Sequence, residues 1–465
     1  MFDAKDELHE LPVAVIGAGP VGLAAAAHLL ARGLRPAIFE KGEQVAANMR
    51  DYGHVRLFSP WRFNIDREAR ALLEQARWRA PDLDALPTGG EIHRDYLEPL
   101  AALPAVAEHL FLDSEVTSIS RRGFDKVKSF GRDAASFVLR VRQGGGAERE
   151  VLARAVIDAS GTWASPNPLG ANGLPAIGER RFAAKIRYGI PDVLGAERPR
   201  YASKKVLVAG AGHSAANVLL DLAELAQSSP LTRIAWALRG SDITKTFGGG
   251  ADDALAARGA LGDALKRLYE SGMLEVRTGF RIHALDAGPS GVSVVAEDGA
   301  TIDGVDEIVC AAGQRPDLEL TRELRLELDP WLECAKTIGP LIDPNLHSCG
   351  TVRPHGAREL AHPEPGFYTV GVKSYGRAPT FLLATGYEQV RSVVAALAGD
   401  LEAASEVRLE LPKTGVCSAQ PQARIKPAPV AACCTPARRK SRGVPPHPSP
   451  ENADTTEAAC CSPPS

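Results

Sequence analysis

Two short glycine runs carry the strongest chemical signal in this sequence. Gly17-Ala18-Gly19-Pro20-Val21-Gly22 follows the apolar segment LPVAVI and opens an Ala-rich stretch, LAAAAHLLARG. Glu40 ends the next apolar run, PAIFE, 23 residues after Gly17. This arrangement suits a pyrophosphate. Gly17 permits the tight bend, Gly19 lets the backbone approach the phosphates, and Gly22 allows the helix to pack closely on the strand. The helix N-terminus adds free N–H groups and the positive end of a dipole. Glu40 is placed to accept hydrogen bonds from a ribose 2′-hydroxyl and to repel a 2′-phosphate. The second run, Gly210-Ala211-Gly212-His213-Ser214-Ala215, follows KKVLVA and has Ala215 in place of the third glycine. Its succeeding strand ends at Arg239 rather than at an acid, which suits a 2′-phosphate. His213 reads as a loop residue shaped by packing.

The cysteines form a second group. Five of the eight crowd toward the C-terminus: Cys417, Cys433, Cys434, Cys460 and Cys461. Adjacent cysteines close a disulfide only through a strained ring, so Cys433-Cys434 and Cys460-Cys461 read as dithiols and as ligands for soft ions. Arg438, Arg439 and Lys440 favour the thiolate form of the first pair. The loop HSCGTVRPH places His347, Cys349 and His355 together, and Cys349 is a further candidate ligand, although a structural loop is the simpler reading. Cys310, in an apolar run, reads as a small buried hydrophobe. No CxxC pair stands in the core of the chain.

The elements that must position these groups alternate strand and helix. The opening βαβ pattern is repeated from Lys205, which predicts an α/β fold with two Rossmann-like, three-layer dinucleotide-binding domains, the second inserted in the first. The boundaries expected are 9–200 and 310–400 for the two parts of the first domain and 201–309 for the second. Strands are expected near 111–118 and 136–143, one strand within 151–161, and a long closing helix before 399. Residues 412–465 hold eleven prolines and no aromatic residue, which predicts a disordered tail.

Of the 465 residues, 45% are hydrophobic and 24% charged, and the net charge is −3. No basic field recruits nucleic acid. The apolar stretch from Leu11 to Leu30 is broken by Gly17, Gly19, Pro20 and Gly22, and no run is suited to crossing a bilayer. The N-terminus lacks a cationic leader, so the expected location is the cytoplasm.

GAGPVG with Glu40, DASGTWASPNP (158–168), GAGHSA and CAAGQRPD (310–317) together resemble the flavin-containing monooxygenase branch of the two-dinucleotide-binding-domain flavoproteins. The resemblance spans roughly residues 11 to 400. It implies that Gly17, Gly19, Gly22 and Glu40 bind FAD, and that Gly210, Gly212, Ser214, Ala215 and Arg239 bind NADPH. Gly161, Gly313 and Gly371, in the later strand-to-glycine segments, complete the implied cofactor set. Two features depart from that family. FAAKIRYGIPDVLG (182–195) stands where an FxGxxxH-type fingerprint is expected, and VGVKSYGRAPTF (370–381) replaces a Gly-Asp pair.

The runs GPLIDPNLHSCGTVRPHG (339–356) and KSYGRAPTFLLATGYEQVRSV (373–393) are similar to flavoproteins encoded with bacterial arsenic-resistance genes. By that likeness Lys373, Tyr375 and Arg377 are candidates for the flavin or substrate edge. The function expected is an FAD- and NADPH-dependent monooxygenase acting on a small molecule with a soft nucleophilic atom, trivalent arsenic among them. Two alternatives stand beside it: an NADPH-dependent thiol or metalloid reductase using the tail cysteines, and a non-catalytic protein that binds nucleotides and metalloids.

Overall fold

The computed structural model describes residues 8–253, 255–346, 354–378 and 381–409. The chain opens with β1 (Val13–Ile16), α1 (Pro20–Ala31) and β2 (Pro36–Phe39), followed by α2 (Arg67–Gln75). Next come β3 (Leu110–Phe111), β4 (Ser114–Arg121), β5 (Phe137–Gln143), β6 (Glu148–Ala153), β7 (Ala155–Asp158) and β8 (Ile186–Tyr188). The second unit of pattern contributes β9 (Lys205–Ala209), α3 (His213–Ser228), β10 (Arg233–Ala237), α4 (Ala256–Glu270) and β11 (Leu274–Arg277). There follow β12 (Ile282–Gly288), β13 (Gly291–Ala296), β14 (Thr301–Val305) and β15 (Glu307–Cys310). The chain then forms β16 (Phe367–Thr369) and α5 (Leu383–Leu397).

Two five-stranded parallel sheets result, in the orders β16-β7-β1-β2-β3 and β11-β10-β9-β15-β8. The central strands are buried at every position, VAVI in β1 and AVID in β7, because both faces are covered. Helices α1 and α5 lie on one face of the first sheet, with Val13, Val15 and Ile157 in their core. The antiparallel sheet β4-β5-β6 covers the other face through Phe137, Leu139 and Val141. The second sheet repeats this scheme, with α3 and α4 on one face and β12-β13-β14 on the other. Both halves are therefore three-layered, as the sequence predicts. Helix α1 begins with Pro20 at its first position and buries four consecutive alanines, whose small side chains let it lie close to the sheet.

The single strand expected across 151–161 is two strands. The Arg154 N–H donates to Pro12 O and its guanidinium to Leu397 O, which turns the chain from the antiparallel sheet into the parallel one. Strand β8, within the segment 9–200, is an edge strand of the second sheet and pairs with β15. The expected tail, with Cys417, Cys433, Cys434, Cys460 and Cys461, lies outside the described residues, as do His347 and Cys349.

Candidate dinucleotide and redox site

In each parallel sheet the chain leaves the central strand to opposite sides, and a crevice opens at the carboxyl ends of the strands. Both glycine turns stand there. Gly17 has φ +91°, and a Cβ on it would lie 2.8 Å from Ala159 O, at the end of the neighbouring β7. Gly210 has φ +142°, and a Cβ on it would overlap the Ala311 carbonyl, at the end of the neighbouring β15. Gly19 and Gly212, by contrast, face open space. Each turn is thus packed against its sheet on one side and open on the other, which is the cradle a pyrophosphate requires. Ala215 is fully buried where Gly22 stands in the first turn. Ser214 is half-buried in the first turn of α3.

Glu40, almost buried, accepts the Ala18 N–H at 2.8 Å and the Gly42 N–H at 2.9 Å through different carboxylate oxygens. The acid therefore braces the glycine turn and still keeps a second lone pair on each oxygen for a ribose diol. Arg239 is exposed just beyond β10, on the second crevice, and donates to Ala171 O at 3.3 Å. Gly161 and Gly313, at φ +71° and +84°, occupy corresponding turns after β7 and β15.

The floor of the first crevice holds a buried ion pair. Asp158 ends β7, and its Oδ2 lies 2.7 Å from Lys373 Nζ; both side chains are essentially inaccessible. Lys373 Nζ also donates to Ser160 Oγ at 3.0 Å, while Ser160 Oγ donates to Asp158 Oδ1 at 2.6 Å. The turn carrying Lys373 is fixed by Gln389 of α5, whose Oε1 accepts the Gly371 N–H and whose Nε2 reaches Ser374 Oγ and His355 Nε2. Tyr375 is buried against His355 and Phe381, and burial pushes its hydroxyl up. Arg377 is exposed. The structure thus separates the three candidates: one charge under the crevice, one core ring and one surface cation.

Several residues join the two crevices. Thr162 Oγ1 donates to Gln314 Oε1 at 2.9 Å, and Asn167 binds Gly313 O and Ala312 O. Trp163 Nε1 donates to Asp51 Oδ2 at 2.8 Å, and its ring lies 4.8 Å from that of Tyr52. The stretch FAAKIRYGIPDVLG meets this bridge, since a Cβ on Gly189 would lie 3.2 Å from the Trp163 ring. Phe58 reaches His213, the first residue of α3, with ring centroids 5.3 Å apart. Sequence reasoning singled out none of Asp51, Tyr52, Phe58 or Trp163 as functional. The available signal was the aromatic cluster between Tyr52 and Phe63 in a chain with only 6% aromatic residues.

A dinucleotide such as FAD fits the first crevice by two observations: the open face at Gly19 and the spare acceptor capacity of Glu40. Disulfide chemistry fits poorly. Cys310 and Cys334 are buried free thiols whose burial pushes them up to about 12, and no cysteine precedes Cys310. No cluster of three or more metal-ligating side chains exists among the described residues. No helix among them is long and apolar enough to cross a membrane.

Duplicated glycine cradles on two three-layered parallel sheets define an oxidoreductase of the two-dinucleotide class. Residues 14–337 match the pyridine nucleotide-disulphide oxidoreductase family, and the chain belongs to it. It is similar to the indole-3-pyruvate monooxygenase YUCCA1 of Oryza sativa subsp. japonica, at 30% identity over 211 residues. That match covers 45% of this chain and 44% of the rice protein, less than half of each. Among solved structures, the bacillithiol disulfide reductase of Bacillus cereus superposes with TM-score 0.60 at 16% identity, over 84% of this chain and 99% of that one. The ornithine N-hydroxylase of Kutzneria sp. 744, solved with reduced FAD, NADP+ and L-ornithine, gives TM-score 0.54 at 18% identity, over 84% and 99%.

Proposed function

We propose that this oxidoreductase binds FAD in the first crevice and NADPH in the second, and works as a monooxygenase on a small molecule with a soft nucleophilic atom. The observation that carries the reading is the pairing of two like cradles, Gly17 against Ala159 and Gly210 against Ala311, joined by Thr162–Gln314 and Phe58–His213. When bound, FAD accepts a hydride from NADPH and activates O2. The chain's own residues bind and orient. The turn N–H groups and helix dipoles of α1 and α3 hold the pyrophosphates, Glu40 takes the FAD ribose, and Arg239 selects the 2′-phosphate of NADPH. The Trp163–Asp51 bridge and Phe58 hold the loop of residues 51–64 at the junction.

Two buried, unreactive core thiols favour a diffusible nucleophile over a core disulfide as the group oxidised. Sulfur, nitrogen and trivalent arsenic are the candidate atoms. Arsenic is favoured by the likeness of 339–356 and 373–393 to arsenic-associated flavoproteins, and the tail cysteines are the soft-ion ligands that would deliver it. The cytoplasm, where thiols stay reduced, is the compartment this assigns.

The test is a visible spectrum of the purified protein, followed by anaerobic reduction with NADPH and with NADH. Reoxidation by O2 is then timed with arsenite, a thioether or a primary amine present. Bound flavin bleached preferentially by NADPH, with O2 consumption matched by oxygenated product, supports the reading. Flavin that neither nicotinamide reduces overturns it.

A further inference from the structure

Lys373 and Asp158 form a buried charge pair, in which Asp158 Oδ1 also accepts the Ser160 N–H and hydroxyl of the turn after β7. Both side chains are within 1% of complete burial, and the ion pair is 2.7 Å long. A buried pair of this kind is a weak source of stability, because desolvating two ions offsets most of their attraction. An apolar pair of similar size would fill the same space. The pair also stands at the carboxyl end of β7, where the next residue, Ala159, packs against Gly17. The ammonium donates to Ser160 Oγ and stands in ion-pair contact with Asp158 Oδ2, which has no hydrogen-bond partner among the described residues. Ser160 is half-buried, and its Cα lies 3.1 Å from where a Cβ on Gly17 would stand. Ser160 therefore touches both, its backbone packing on the first glycine turn and its hydroxyl accepting from Lys373. Gln389, itself fully buried, clamps the Lys373 turn through the Gly371 N–H at 2.8 Å and the Ser374 hydroxyl at 2.8 Å. That leaves the ammonium little freedom to withdraw.

We propose that the Lys373–Asp158 pair sets the reduction potential of the flavin held in the first crevice, with Lys373 raising it and Asp158 lowering it. The inference rests on the FAD reading above. In the step concerned, NADPH gives up a hydride and becomes NADP+, and the flavin ring gains two electrons and one proton, hence one net negative charge. A fixed positive charge in a site of low dielectric favours the reduced form, and a fixed negative charge opposes it. Neither residue is assigned a proton-transfer role.

The experiment compares the midpoint potential of bound FAD in the full-length wild type, Lys373→Met and Asp158→Asn, by dye-coupled reduction. The expected result is a change of at least tenfold in the reduction equilibrium constant in each variant, about 30 mV for a two-electron couple, with opposite signs. Lys373→Met lowers the potential and Asp158→Asn raises it. A loosened site would move both variants the same way, so shifts of one sign, or no shift, overturn the inference while leaving the FAD reading intact. Should Lys373→Met fail to fold, Asp158→Asn and Lys373→Arg decide. A raised potential in the first and a near-wild-type one in the second support the inference, and any other pair of results overturns it. Wild type that takes up no FAD overturns both readings.

Discussion

Phe58 lies against His213 with ring centroids 5.3 Å apart and planes inclined by 54°, so a loop of the first half touches the first helical residue of the second nucleotide turn. The loop is held rigidly for this contact. Asn64, fully buried, donates to Ser59 O and Pro60 O and accepts from Ser59 Oγ, while its own carbonyl accepts the Tyr387 hydroxyl. Replacing Phe58 with Ala removes an orienting contact between the two cofactor sites. Flavin content is expected to stay at the wild-type level, and the rate of flavin reduction by NADPH to fall about tenfold. Rapid-mixing absorbance at saturating NADPH checks this; an unchanged rate would show that the ring plays no part in orientation.

Asn64→Ala leaves the buried Ser59 carbonyl without its donor and the Ser59 hydroxyl without its acceptor, while Pro60 O keeps the Phe63 N–H. The expected cost is about 2–3 kcal/mol of stability. Urea denaturation of the two proteins side by side measures it, and a loss under about 0.5 kcal/mol would contradict the role given to Asn64.

Glu364 joins the antiparallel sheet of the first half to the later chain. It accepts from Arg121, from Arg132 and from the Arg325 N–H, and its side chain is fully buried. Burial pushes its carboxyl up, but these donors outweigh burial and hold it below the usual carboxylate range. A carboxyl lowered in the folded state stabilises the protein above its unfolded value of 4.5, and that contribution is lost as pH falls through the lower folded value. Melting temperature should therefore drop below about pH 4.5, and Glu364→Gln should remove that part of the acid sensitivity. At neutral pH the same variant strands two buried guanidiniums, at an expected cost of about 3–5 kcal/mol.

Cys310 and Cys334 are expected to resist alkylation at pH 8, because burial raises both thiols to about 12. Mass spectrometry of the iodoacetamide-treated native protein reads this directly. Labelling of either residue without unfolding would reopen a thiol-based electron acceptor in the core.

Arg239 tests the cofactor preference. Arg239→Ala should raise KM for NADPH about tenfold, the loss of one charge-assisted contact, and leave KM for NADH within about twofold. Equal losses with both would place Arg239 outside the 2′-phosphate site.

The sequence announced the central parallel strands because they are apolar runs, VAVI in β1 and VLVA in β9, and it announced both turns because their glycines stand at fixed offsets within a strand-to-helix context. It also placed Glu40 correctly at the carboxyl end of its strand. What it left unread depends on distant partners. Asn64 acquires its meaning from Tyr387, Phe58 from His213, and Arg121 from Glu364. Lys373 was visible as a charged residue in an unusual turn, but its burial is set by Asp158 and Ser160, more than two hundred residues earlier. The split at Arg154 was invisible for a similar reason, since the turn is made by Pro12 and Leu397.

Strands β8 and β15, by which the chain enters and leaves the second sheet, are hydrogen-bonded neighbours running in parallel from Ile186 and from Ile308. The points of entry and exit are therefore separated by about one three-residue strand, roughly 10 Å. A module attached to its host by such closely spaced ends can be exchanged for a homologous one without rethreading the host. The part that selects the electron donor can thus be inherited, or engineered, as a cassette, while the part that holds the flavin is left as it is.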